Sequence, residues 1–303
     1  GSLGNPIQAA VNYIQTTGRV PNNGTIYVDS GTFSGPVTIN GSLANLNAIK
    51  ALVGKGPNAT TISNSVSVLN LSGGFRLEGF LISATLGTPL VTFNNIGGKL
   101  VLKDLVVKNN GAGGGIRVEN SKASLEAQNV KSSGNGGVGL YVDNTAGSGN
   151  VPILSADFSN NNNTGLQVFT NGAVLLNGVS TRFNLGDGAL LVSQKGVTVR
   201  NGVFGGNAVA GALGNGLVLG DLNRGNVVLD WVYANSNDEY GLVLYTRAGS
   251  ITLSNIDANF NNLDNLLIDN CYDAAGVCTS PAAPVSLTNV RATYSANGNG
   301  IDL

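Results

Sequence analysis

Histidine is absent from all 303 residues, and this removes most of the usual catalytic chemistry. Without imidazole there is no Ser-His-Asp triad, no ordinary Cys-His pair and no His-ligated metal site. Carboxylate, guanidinium and thiol groups remain. The densest acidic group is Asp238, Glu239, Asp264, Asp269 and Asp273, with Arg247 and Tyr245 nearby. Carboxylates on neighbouring turns of a repeat could hold Ca²⁺ or form an acid–base pair. The alternative reading is that Asp and Glu sit there because turns favour polar residues. Cys271 and Cys278 share one polar loop. A local disulfide is expected, which would point to an oxidising compartment; two free thiols are the alternative. No third soft ligand accompanies them, so no thiolate metal site is expected. Apart from Ca²⁺ in the acidic reading, the sequence calls for no metal or cofactor.

The elements that would position these groups follow from a repeat. From about residue 98 the chain returns to the same pattern roughly every 24 to 29 residues. Each unit opens with Gly or Asn and an alternating triplet. These are Ile116-Arg117-Val118, Leu140-Tyr141-Val142, Leu166-Gln167-Val168, Leu190-Leu191-Val192, Leu217-Val218-Leu219, Leu242-Val243-Leu244, Leu266-Leu267-Ile268 and Ile301-Asp302-Leu303. Aliphatic residues two apart mark a strand with one buried face. A second such pair and a third, shorter strand follow, as in Val227/Leu229 and Val232. A polar column comes next: Asn110, Asn135, Asn163, Asn184, Asn207, Asn237 and Asn261. Asn tolerates left-handed turns, and stacked Asn amides form ladders.

Three strands and three turns per unit describe one coil of a parallel solenoid, in which each coil buries its apolar side only against its neighbours. The expected fold is all-β: a right-handed single-stranded parallel β-helix of roughly ten coils, one domain over residues 1–303 with coils in 18–303. An amphipathic helix over residues 5–17, capped by Asn5 and stopped by Gly18, is expected to cover the first coil. Gly300-Ile301-Asp302-Leu303 opens a new coil with no closing segment after it. The expectation is that the chain is a piece of a longer protein.

Ile7-Gln8-Ala9-Ala10 followed by Gly24-Thr25-Ile26-Tyr27-Val28-Asp29-Ser30-Gly31-Thr32-Phe33 resembles the opening of the pectate-lyase-like β-helix superfamily, a capping helix leading into a first strand and turn. The resemblance covers essentially the whole chain and implies architecture far more than activity, because one fold hosts many functions. Pectin hydrolases of this superfamily carry an Asp-Asp pair and a Gly-His-Gly turn, and the chain has neither. The Trp-x-Asp-His turn typical of pectate lyases is also missing, with Asp230-Trp231 only a distant echo. Sugar-binding members line the first-strand groove with charged and aromatic groups.

In this chain the middle residues of the triplets are expected to point outward. That gives a surface column of Arg117, Tyr141, Gln167, Leu191, Val218, Val243, Leu267 and Asp302, aliphatic over four successive coils, with Tyr245 beside it. An exposed aliphatic stripe marks a contact surface; loops 205–216 and 269–284 folding over it is the competing expectation. Phe204 and Tyr233 are also expected to face out, with Trp231 in the adjoining turn. The net charge of −1, without a basic run, argues against nucleic acid. No apolar stretch approaches the ~20 residues of a membrane span. The expectation is therefore a non-catalytic, extracellular or cell-surface β-helix of a bacterial secreted or surface protein. Its role is adhesive or structural, and it meets a protein, a glycan or another copy of itself. The alternative is a polysaccharide lyase or hydrolase using the late-coil carboxylates.

Overall fold

Alternating aliphatic and polar residues give every short strand one dry and one wet face, and the coil closes so that all dry faces meet. The computed structural model describes residues 5–208, 213–220, 222–271 and 284–303. Within them the chain is a parallel β-helix. One sheet holds eleven first strands, from Val37–Asn40 through Ile116–Glu119 and Leu166–Thr170 to Ile301–Asp302. The other holds the second and third strands of each coil, as in Leu100–Lys108, Val227–Tyr233 and Val285–Thr293. These run as one bent ribbon, broken by a left-handed residue such as Asp104, Asn129, Asn201 or Asn255. Eleven first strands make ten steps between coils, a rod roughly 50 Å long at the ~4.8 Å spacing of hydrogen-bonded strands.

The interior is one hydrophobic cluster running from Ile7 to Ile268. Identical positions stack: Ile116, Leu140, Leu166, Ala189, Leu217, Leu242 and Leu266 form one column. The helix Pro6–Thr17 closes the first coil with Ile7, Val11 and Ile14. The Asn5 side chain accepts the Gln8 N–H at 3.1 Å, and Gly18, at φ 69°, returns its N–H to the Ile14 carbonyl.

Three expected placements are corrected. Leu191, expected outside, is fully buried, and Leu190 takes the outward position beside Gln167 and Val218. The register follows the glycine column, not the most apolar triplet. A Cβ on Gly188 would lie 2.4 Å from the Gly216 carbonyl oxygen, so the residue after this glycine, Ala189, must begin the strand. A one-residue slip exchanges the faces. Phe204 is also buried. Its ring fills the space left by Gly202, where a Cβ would lie 2.5 Å from it.

The third correction concerns the asparagine ladder. It runs through Asn110, Asn135, Asn161, Asn184, Asn207, Asn237 and Asn261, so Asn161 replaces Asn163. Each backbone N–H donates to the Oδ1 of the next coil's Asn. From Asn135 onward the Nδ2 donates along the ladder as well, at 2.7–3.2 Å. The last step passes to Asn265, which donates to the Thr293 carbonyl. Asn163 is exposed and only accepts the N–H of Thr164.

Removing a ladder acceptor orphans buried donors on the coil before it, at a cost of about 1–3 kcal/mol. Asn184→Ala should therefore destabilise the rod by about 2 kcal/mol, whereas Asn163→Ala should stay within about 0.5 kcal/mol of the parent. Urea unfolding of the two variants checks this, and equal losses would contradict the assignment.

Candidate functional site

The outward side of the first-strand sheet changes character along the rod. In the middle coils it is polar and aromatic. Thr92, Arg117, Tyr141 and Gln167 lie side by side on adjacent strands, with Glu119, Asp143 and Phe169 two residues further along each strand. The Arg117 guanidinium sits 4.8 Å from the centre of the Tyr141 ring and pairs with the Glu119 carboxylate. That pairing, ahead of the opposing effect of burial, raises the Arg117 pKa. Burial, then the Asp143 carboxylate, raises the Tyr141 phenol, which stays a neutral donor. Tyr141 and Phe169 meet at 6.0 Å with planes tilted by 49°. Asp143 Oδ1 accepts from the Thr145 hydroxyl at 2.6 Å and its N–H at 3.1 Å.

Beside this group lies a cleft of about 360 Å³ lined by Arg117, Tyr141, Gln167 and Asn163. Its wall is the glycine-rich turn 112–114 and its neighbour at Gly137. Bare backbone is required there: a Cβ on Gly113 would lie 2.3 Å from the Thr88 carbonyl oxygen. Asn163 thus belongs to the cleft, with its amide NH₂ unbonded among the described residues. The arrangement offers ring faces with guanidinium, phenol, amide and carboxylate groups around a shallow trough.

The late coils look different. Val218 and Leu267 are half-buried, and Val243 is buried although its register points outward. Tyr245 is half-buried. The expected exposed aliphatic stripe is therefore not present as such. Both loops expected to cover it contain residues outside the described set.

The late carboxylates divide between two edges of the sheet. Asp238, Glu239 and Asp264 precede the strands Leu242–Tyr245 and Leu266–Asp269, whereas Asp269 ends the second of these. Asp264 and Asp269 are five residues apart, about 16 Å at a ~3.3 Å strand rise. Asp264 accepts the Asn299 N–H, and Asp269 accepts the Cys271 N–H. Arg247 follows the strand on the Asp269 side, its N–H bonded to the Asn223 carbonyl. Among the described residues no three His, Cys, Asp or Glu side chains converge as a metal site would require. Asp273 and Cys278 lie outside the described residues, so the Cys271–Cys278 pairing stays an expectation.

Sequence reasoning placed Arg117, Tyr141 and Gln167 in one outward column but missed Glu119, Asp143 and Phe169, which join them two residues further along each strand. The signal was available: residues at equivalent strand positions on consecutive coils must be neighbours.

The protein belongs to the right-handed β-helix family, whose model, described as "Right handed beta helix region", matches residues 90–258, more than half of the chain. Among solved structures it is similar to pectate lyase Pel9A, at TM-score 0.54 and 16% identity over 96% of this chain and 72% of that one. It is also similar to a Geobacillus virus E2 protein, ORF18, at TM-score 0.52 and 13% identity over 84% of this chain and 56% of that one. Tailspike protein 2 of an Escherichia coli O157:H7 bacteriophage matches at TM-score 0.50 and 16% identity, over 90% of this chain and 44% of the tailspike. The chain thus spans about half the length of the two viral proteins. At these identities the likeness is one of fold. No curated protein sequence matches the chain. No described helix is long and apolar enough to cross a membrane.

Glu239 supplies a test of the late acidic region. Burial raises its pKa first, then the Asp187 carboxylate; an Asn215 hydrogen bond partly offsets this, and Asp238 adds to the rise. A carboxyl with a raised folded pKa costs stability once pH exceeds its unfolded value, about 4.3, and costs nothing below it. Glu239→Gln should therefore raise the melting temperature near neutral pH, and the gain should vanish below about pH 4. A gain that persists in acid would contradict this account.

Proposed function

We propose that this protein is a glycan-binding β-helix that acts outside the cell by adhesion and not by catalysis, docking sugar on its middle first strands. The observation that carries the reading is the continuous outward group Arg117, Glu119, Tyr141, Asp143, Gln167 and Phe169 beside an open cleft. Pyranose rings present C–H faces to aromatic rings and hydroxyls to fixed polar groups. A mostly preformed site with a few convergent polar groups is the usual form of a small-ligand site. The carboxylates here are already engaged, Glu119 by Arg117 and Asp143 by Thr145, which suits acceptors held in place better than a proton donor.

A second reading, polysaccharide cleavage, draws on the same group, because Glu119 and Asp143 occupy equivalent places on adjacent strands. Binding and turnover assays on soluble plant and bacterial polysaccharides separate the two. Adhesion requires retention of at least one glycan without new reducing ends or unsaturated products. Arg117→Ala with Tyr141→Ala should weaken that retention roughly tenfold or more, from the loss of ring packing and a charged hydrogen bond. Cleavage that disappears in Glu119→Gln or Asp143→Asn would replace adhesion with catalysis.

A further inference from the structure

The bent sheet carries a second set of exposed rings, on the third-strand face of the late coils. Phe183, Trp231, Tyr233, Phe260 and Tyr294 are between 40% and 73% exposed. Four of them hold left-handed backbone: Phe183 at φ 56°, Trp231 at 53°, Phe260 at 57° and Tyr294 at 56°. The equivalent turns of other coils use residues that accept this conformation, such as Asn129, Gly178, Asn201 and Asn255 in one column, and Asn109, Gly134, Asn160 and Gly206 in the other. A bulky ring at positive φ is a backbone outlier, and such outliers concentrate where a ligand is held.

The rings border one face, a platform with Trp231 on one edge and Phe183, Phe260 and Tyr294 on the other. Phe260 and Tyr294 stack in parallel, 4.9 Å apart and 3° from coplanar. Arg182 lies over Phe183 at 5.4 Å. Trp231 and Tyr233 border a cleft of about 190 Å³ with Asn255, Asp257, Asn289 and Arg291. Tyr233 also borders a second cleft, of about 250 Å³, shared with Arg182 and Phe183, so the two troughs join at its ring. Asp230, beside Trp231, is held as an acceptor by Ser254 Oγ at 2.7 Å and Asn255 Nδ2 at 3.0 Å.

We infer that this platform is a second binding site, for an extended neutral polysaccharide lying along the rod. Phe183 and Tyr294 are four coils apart, about 19 Å at ~4.8 Å per coil, and each coil step is close to the length of one hexose in an extended chain. Flat rings separated by amides, hydroxyls and carboxylates match the alternating C–H faces and hydroxyls of a sugar chain. A protein partner would call for apolar knobs and pockets, and the largest exposed apolar groups of this platform are aromatic, with Leu185 and half-buried Val203 as aliphatic neighbours. Asp257 pairs with Arg291, and the Arg182 guanidinium lies over the Phe183 ring while keeping its charge. The inference is independent of the Arg117–Tyr141 site, which lies on the other sheet.

Trp231 is the sole tryptophan of the chain, so its fluorescence reports on the cleft it borders with Tyr233, through which a chain spanning the platform passes. Titration with hydroxyethyl cellulose, galactomannan and arabinoxylan should shift its emission to the blue with at least one of them, and polygalacturonate should be weaker. The combined variant Phe183→Asn, Phe260→Asn, Tyr294→Asn keeps the reporter and relieves the backbone. It should melt no lower than the parent yet bind roughly tenfold or more weakly. Arg117→Ala with Tyr141→Ala should leave the Trp231 response intact, so the two sites fail separately. The inference is overturned if no neutral polysaccharide moves the emission, or if the triple variant binds as the parent does. It is equally overturned if sedimentation shows that the platform instead joins two copies of the chain.

Discussion

Everything in this molecule rests on like stacking on like. A residue in one coil meets its equivalent in the next at the distance of one interstrand hydrogen bond, so the protein is a set of columns more than a set of segments. Inside, the columns are aliphatic and interlock. At one corner the column is asparagine, and each amide completes the hydrogen bonding of the coil before it. A buried polar group left without a partner costs free energy, and the ladder avoids that cost by repeating the same solution at every step. The glycine column that precedes the first strands enforces the alignment sterically, because backbone of one coil occupies the space a side chain of its neighbour would need.

The same rule governs the surface. Outward side chains of successive coils are also neighbours, so a functional patch assembles from residues about 25 apart in sequence and shows no compact motif. Arg117, Tyr141 and Gln167 become one surface through register alone. The rod supplies a rigid lattice of positions, and chemistry is written on it by choosing the side chain at each point. The low charge and the many Asn, Ser and Thr residues suit such a lattice, whose turns need residues able to adopt unusual backbone angles.

Fold and core were legible in the sequence because the repeat declares itself: alternating aliphatics at a steady interval, with an apolar helix at one end. The errors came from choosing hydrophobicity over backbone constraint. Leu190-Leu191-Val192 is the more apolar triplet, but Gly188 sets the frame and sends Leu191 inward. Asn163 sits close to the ladder's expected spacing, yet Asn161 follows the left-handed Asn160 and inherits the ladder position. Phe204 moved inside because Gly202 left a hole for it. The candidate site was legible only in part, since its members earn meaning from lateral register, which requires knowing which residue of each coil stands beside which.

The asparagine ladder has a direction. Every Oδ1 from Asn135 to Asn261 accepts from the coil before it, so these side-chain carbonyls all point back towards the capping helix. Their dipoles add instead of cancelling. The interior of the rod therefore carries an electric polarity, negative towards the helix and positive towards the last coils. Its two ends are inequivalent in field as well as in shape, and a charged body approaching along the axis would distinguish one from the other before touching either.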